Sequence, residues 1–82
     1  MKRTGRDRVV RNALIASGNS GDAGLLPAVE RLLDDPSPLV RAMAVWALQR
    51  LATPEHWIWL KCHRVGEEGD ANVRAEWGAE AN

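Results

Sequence analysis

Two prolines, Pro36 and Pro38, divide the most regular stretch of the chain and limit what it can become. From Leu25 to Leu51 the sequence reads LLPAVERLLDDPSPLVRAMAVWALQRL. Before the prolines, Leu25, Leu26, Val29, Leu32 and Leu33 recur at the spacing of one helical stripe, with Glu30, Arg31 and Asp34 on the other side. Asp35 cannot carry that helix onward, because a residue before proline is pushed out of the helical region and Pro36 has no amide hydrogen for the ladder. Ser37 suits an N-cap and Pro38 a first helical position, so a second helix is predicted to start at once. It carries Val40, Met43, Ala44, Ala47, Leu48 and Leu51 on one side, widened by Leu39, Ala42 and Trp46. A helix apolar over that much of its circumference needs cover on more than one flank.

Parts of this hairpin recur. Val40-Arg41 has counterparts in Val10-Arg11, 30 residues earlier, and Val73-Arg74, 33 residues later. A period of about 30 to 40 residues with two helices per unit is the pattern of an α-solenoid. Thr4 can cap a first helix with Asp7 at its third position, burying Val9, Val10, Ala13, Leu14 and Ser17. Gly18 to Asp22 reads as a loop, with Ser20 or Asp22 capping the next helix, inside which Pro27 should bend the first turn. Thr53-Pro54-Glu55 opens a fourth helix. Its Trp57 and Trp59 are two apart and cannot share a face, so at least one looks away from the hairpin core or bends over a neighbouring helix. Asp70 caps a last helix with Val73, Trp77 and Ala81 as its apolar line. The expected architecture is one all-α domain over residues 1–82, with helices at about 5–17, 23–34, 37–51, 54–65 and 70–80. That is two and a half hairpins beginning with a second helix that has no first, so residues 1–82 are expected to belong to, or remain from, a longer protein.

Lysine plus arginine and aspartate plus glutamate both number 11, and a net charge of zero does not by itself mark a nucleic-acid module. The distribution is uneven. Residues 1–11 hold Lys2, Arg3, Arg6, Arg8 and Arg11 against Asp7, a net of +4, while residues 67–82 hold Glu67, Glu68, Asp70, Glu76 and Glu80 against Arg74, a net of −4. Cys62 is the single cysteine, which excludes an internal disulfide framework. No apolar run approaches the roughly 18 residues of a membrane span, and the basic N-terminus leads into an amphipathic helix rather than a signal-peptide core, so the expected location is cytoplasmic.

Nothing in the residue pattern marks catalysis. Cys62 and His63 are adjacent, and His56 lies two helical turns from His63, which is not metal-ligand spacing; the thiol reads as inert and half-buried. GNSGDAG, residues 18–24, has glycines but neither the Lys-Ser or Lys-Thr of a phosphate loop nor a preceding strand. No catalytic residue and no metal site are therefore expected. The arginines carry more information. Lys2, Arg3, Arg6, Arg8 and Arg11 are candidates for a phosphate-facing patch, because guanidinium groups pair bidentately with phosphate oxygens; a solvated helix end is the plainer account. Arg11, Arg41 and Arg74, in equivalent places, would stack as a ladder.

Leu25, Leu26, Pro27, Leu32, Leu33, Asp35, Pro36, Val40, Arg41, Ala44, Ala47, Leu48 and Leu51 together resemble the HEAT-repeat family, with Gln49 where glycine is common. That resemblance implies a HEAT-like α-solenoid in which a repeat arginine bonds the turn aspartate, here Asp35. More specifically, Thr4 to Leu48 and Asn72 to Trp77 are similar to the C-terminal HEAT-like domain of bacterial epoxyqueuosine reductase, most firmly at Arg11-Asn12, Gly18 to Asp22 and the Asp-Pro-Val-Arg turn. The resemblance implies a part in queuosine biosynthesis, where that family acts on the anticodon wobble position of tRNA with cobalamin and two iron–sulfur clusters. The cluster-binding cysteine run and the catalytic domain have no counterpart here, so neither cofactor is expected in this chain and the chain alone is not expected to perform the reduction. The implied role is to hold tRNA and dock on a catalytic domain, with Trp57 and Trp59 facing that domain or another protein. A protein–protein adaptor and a decayed gene product are the other readings.

Overall fold

Five α-helices run through the residues that the computed structural model describes, 3–78, with side chains from Gly5 onward. They are α1 (Arg3–Ser20), α2 (Leu26–Arg31), α3 (Pro38–Leu51), α4 (Pro54–Arg64) and α5 (Ala71–Glu76). Short 3₁₀ turns at Ala23–Leu25, Leu32–Asp34 and Val65–Glu67 flank α2 and follow α4. The described residues contain no strand. The Thr4 side chain, Lys2, Glu80 and Ala81, to which the sequence assigns roles, lie outside the described side chains.

The helix ends follow local chemistry, with four departures from expectation, the first being that α1 already includes Arg3 and Thr4, so Thr4 does not stand at its cap. α1 does not stop at Ser17 but continues through Gly18, Asn19 and Ser20. Ser17 and Ser20 turn their hydroxyls back onto the carbonyls of Ala13 and Ser17, at 2.8 and 2.7 Å, which is compatible with helix; the chain leaves it at Gly21, whose φ of 71° is the left-handed conformation that ends helices. The stretch expected as one helix over 23–34 is split instead, with Pro27 the second residue of α2, where a missing amide hydrogen costs nothing. Ser37 occupies the N-cap position of α3 but its side chain does not cap: the hydroxyl donates across to Asp7 at 2.9 Å. Thr53 and Asp70 cap as the sequence indicates, Thr53 accepting from the His56 amide and Asp70 from those of Asn72 and Val73.

α3 is the centre, packed between α1 and α5 and also against α2. Its Val40, Ala44, Val45, Ala47, Leu48 and Leu51 are all buried, and they meet Leu14 of α1, Val29 and Leu33 of the second segment, Leu60 of α4, and Val73 and Trp77 of the last. Val10, Val40 and Val73 thus lie on the three helices α1, α3 and α5 that adjoin in that order. The molecule is 18 Å across its shortest axis, two helices thick given a helix diameter of about 10 Å, so this is a solenoid with one hairpin layered beside the next.

The apolar stripe of α1 is narrower than the sequence suggests. Val9 is 68% exposed and Ala13 is exposed, because α3 covers one flank only and both residues point away from it. Gly18 belongs to the covered flank. A Cβ there would stand 2.6 Å from Cζ3 of Trp46, so glycine is what lets the indole lie against the backbone of α1. Trp57 turns inward and stacks on Trp77 with ring centroids 5.1 Å apart, while Trp59 stays 54% exposed, which resolves the two-residue spacing as one ring in and one ring out.

Replacing Gly18 by Ala should destabilise the fold by about 1–3 kcal/mol through overpacking against Trp46. Gly5→Ala, where nothing lies within 4 Å of the new methyl group, should be neutral or stabilising. Urea titration of both variants checks the contrast, and equal midpoints would be inconsistent with this packing.

Candidate nucleic-acid interface

The turns inside the two hairpins, α2 to α3 and α4 to α5, are each built on one acid. Asp35 accepts the amide of Ser37 on Oδ2 at 2.9 Å, and Glu68 accepts the amide of Asp70 on Oε2 at 3.0 Å, so both acids stand two residues before an N-cap position and brace the turn from within. The same carboxylates receive a guanidinium from the preceding helix of the stack. Arg6 of α1 donates to both Asp35 oxygens, at 2.5 and 3.3 Å, and Arg41 of α3 donates to both Glu68 oxygens, at 3.0 and 3.1 Å. Arg41 also reaches back to the Asp35 and Pro36 carbonyls at 2.8 and 3.2 Å, so it ties its own turn to the next. Asp7, held by Arg6 and by the Ser37 hydroxyl, completes the first rung.

This corrects the ladder expected at Arg11, Arg41 and Arg74. Val40-Arg41 and Val73-Arg74 are the third and fourth residues of α3 and α5, but Val10-Arg11 comes more than a turn later in α1, so Arg6 rather than Arg11 lies level with the Asp35 turn. Arg74 is exposed. The signal that identifies the rungs was present in the sequence as an acid two residues before a cap, Asp35-x-Ser37 and Glu68-x-Asp70, repeated 33 residues apart.

The basic residues of α1 divide accordingly. Arg6 is committed to Asp35 and Asp7. Hydrogen bonds from Arg6, with smaller help from the Ser37 amide and the charge of Arg41, hold the Asp35 carboxyl below its ordinary 3.8 against the opposing effect of burial; Asp35 in turn raises the Arg6 guanidinium. Arg8 is exposed, and Arg11 is half-buried beside it, its Nε out of contact with solvent and without a hydrogen-bond partner among the described residues. A cleft of about 400 Å³ opens there between Asp7, Arg8, Arg11 and Leu39. Of the candidate phosphate-facing residues, Arg8 and Arg11 line this cleft, Arg6 does not, and Lys2 and the Arg3 side chain lie outside the described side chains.

The residues of α4 form a different surface. His56 and His63 stack on either side of Trp59, with centroids 6.1 and 4.2 Å away; His56 Nε2 meets Glu30 at 2.8 Å and His63 Nδ1 meets the Trp59 carbonyl at 2.8 Å. Cys62 is exposed rather than half-buried, because it lies on the side of α4 away from Leu60. No three His, Cys, Asp or Glu side chains among the described residues group so as to hold a metal ion. No described helix is long and apolar enough to cross a membrane.

A family model for HEAT repeats matches residues 2–79. The chain belongs to the HEAT-repeat family. No solved structure matches it significantly. Among curated proteins it is similar to the epoxyqueuosine reductase of Bacillus subtilis (strain 168), 34% identical over 53 residues that make up 63% of this chain and 14% of that protein's length. This HEAT-repeat chain is therefore distantly related to the epoxyqueuosine reductase family while spanning a small part of the length of that relative. In HEAT-repeat terms, α2–α3 and α4–α5 are hairpins and the acid rungs join one repeat to the next.

Because the Asp35 pKa is depressed in the folded state, its contribution to stability is complete above about pH 4, the unfolded carboxyl value, and is lost as the pH falls through the lower native value. Asp35→Asn should lower stability at pH 7 and flatten the acid-side decline below about pH 4; thermal melts of both proteins from pH 7 to 2.5 check this, and parallel pH profiles would count against the rung.

Proposed function

We propose that this HEAT-repeat chain is a tRNA-positioning and docking domain of the epoxyqueuosine reductase type, acting in queuosine biosynthesis without chemistry of its own. The observation that carries the reading is the similarity to the Bacillus subtilis epoxyqueuosine reductase. The α1 surface supports it: Arg8 and Arg11 line a common cleft, and guanidinium groups pair well with phosphate oxygens. Lys2 and Arg3 are further basic residues of the same stretch of sequence. Charge draws the phosphate backbone in, and the acid rungs keep α1 at a fixed angle to the rest of the stack, so bound RNA is oriented for a reaction carried out elsewhere. The cobalamin and iron–sulfur chemistry of the family belongs to that other part.

A protein–protein adaptor is the second reading, and the exposed Ile58 and Trp59 on α4 favour it. Exposed aromatic and aliphatic side chains on a helix suit a protein contact, here a catalytic domain or another protein. The two surfaces are on different helices and are separable by mutation.

Binding of a tRNA anticodon stem–loop, followed by gel shift across a salt series, should weaken steeply with salt, and Arg8→Ala and Arg11→Ala should each weaken binding and reduce the salt slope by about one. Trp59→Ala should leave RNA affinity unchanged. Salt-insensitive binding, or none, would exclude the tRNA reading and leave the adaptor.

A further inference from the structure

The surface between α1 and α3 continues past Arg11 to a second cleft. Arg8, Arg11, Ile15 and Asn19 follow one another along α1 at three- and four-residue spacing, and Leu39, Met43, Trp46 and Arg50 do the same along α3. Arg8 and Arg11 share the N-terminal cleft with Leu39, and Gly18 and Asn19 share the distal one with Trp46 and Arg50, so the two clefts are the two ends of one seam. Eleven residues of helix separate Arg8 from Asn19, about 16 Å. Among the described residues lining the two clefts the one carboxylate is Asp7, held by Arg6 and Ser37.

The distal cleft, about 590 Å³, is lined by Gly18, Asn19, Gly21, Trp46, Gln49 and Arg50, with no acid. Trp46 lies against the α1 backbone at Gly18, and the Arg50 guanidinium sits 5.2 Å from its ring centroid. Arg50 Nε donates to the Gly18 carbonyl at 3.3 Å, which fixes the guanidinium and leaves its two outer nitrogens without partners among the described residues. Packing accounts for Gly18, Trp46 and that one bond. It does not account for Asn19 and Gln49, exposed at the rim, whose carboxamides likewise have no partner among the described residues.

We infer that this distal cleft takes an unpaired nucleobase of an RNA strand lying along the seam. The inference rests on the tRNA-positioning reading and adds a base contact to its backbone contacts. A guanidinium or aromatic plane offers a stacking surface, and a carboxamide offers a donor and an acceptor side by side, the pattern that an exposed base edge presents. An electropositive cleft without carboxylates accepts the electron-rich edge of a base and carries no repulsion toward the flanking phosphates.

Fluorescence anisotropy on the full chain tests this with two labelled RNAs, an anticodon stem–loop and the same stem closed as a blunt duplex without unpaired bases. The variant is Asn19→Ala/Gln49→Ala, both positions being exposed, with circular dichroism melting to establish that the fold is kept. The expected result is an affinity about tenfold lower for the stem–loop, an unchanged affinity for the duplex and an unchanged salt slope. Equal affinity of variant and parent for the stem–loop overturns the base site while leaving the tRNA reading intact. An equal loss on both RNAs also overturns it, since a base contact cannot weaken a fully paired ligand. If the parent binds neither RNA at any salt concentration, the base site and the reading beneath it fall together.

Discussion

The carboxylates of Asp35 and Glu68 hold this stack in register. Each braces the turn that follows it by accepting an amide two residues on, and each accepts a two-pronged guanidinium from the preceding helix of the stack. Their side chains are only 5% and 9% exposed; Arg6 stays 49% exposed while Arg41 is 19% exposed, so the Arg41–Glu68 pair is the better shielded from the water and salt that weaken surface ion pairs. Two parallel charge-assisted bonds fix direction as well as distance, which a single point contact cannot. In a solenoid every repeat touches only its neighbours, so an error in angle at one turn passes to all the repeats beyond it. The acid rungs sit where such an error would begin.

Apolar burial supplies cohesion, and it is concentrated on α3. That helix is covered by α1, α2 and α5, and six of its residues are buried, which follows from a composition of Val, Ala and Leu with little polar surface to expose. The small residues Ala44 and Ala47 allow the neighbouring helices to approach closely, while Leu48, among the largest fully buried side chains, fills the space between them. α1 is the opposite case. Covered on one flank, it leaves Val9 and Arg8 in solvent and places its remaining guanidinium groups along the seam with α3. Cohesion and recognition are thus divided between adjacent helices.

How legible this was in the sequence depended on whether a feature is local. The break at Pro36 and Pro38, the caps at Thr53 and Asp70 and the cover of α3 on more than one flank are set by a few neighbouring residues and are found where the pattern puts them. The opposite orientations of Trp57 and Trp59 follow from helical geometry alone. What spacing could not give was pairing across the stack. The Val-Arg recurrence pointed to Arg11, yet the residue level with Asp35 is Arg6, because α1 starts further ahead of its Val-Arg pair than α3 and α5 do. Ser37 reads as a cap, but with Asp7 across the turn its hydroxyl bonds to the neighbouring helix instead. Gly18 reads as a loop residue, and only the position of Trp46 reveals that it is a helical glycine chosen for close approach.

The candidate RNA surface depends on the same geometry, since the seam is straight only if α1 is held at a fixed angle to α3. Whether such rungs set the register of the stack is measured most directly by a double-mutant cycle on the Arg41–Glu68 rung, which joins α3 to the turn before α5, using Arg41→Met, Glu68→Gln and the double variant in urea denaturation. The account predicts a coupling energy of about 1 kcal/mol or more between the two positions. Additive effects, with coupling indistinguishable from zero, would contradict it and leave apolar packing as the sole determinant of how the repeats align.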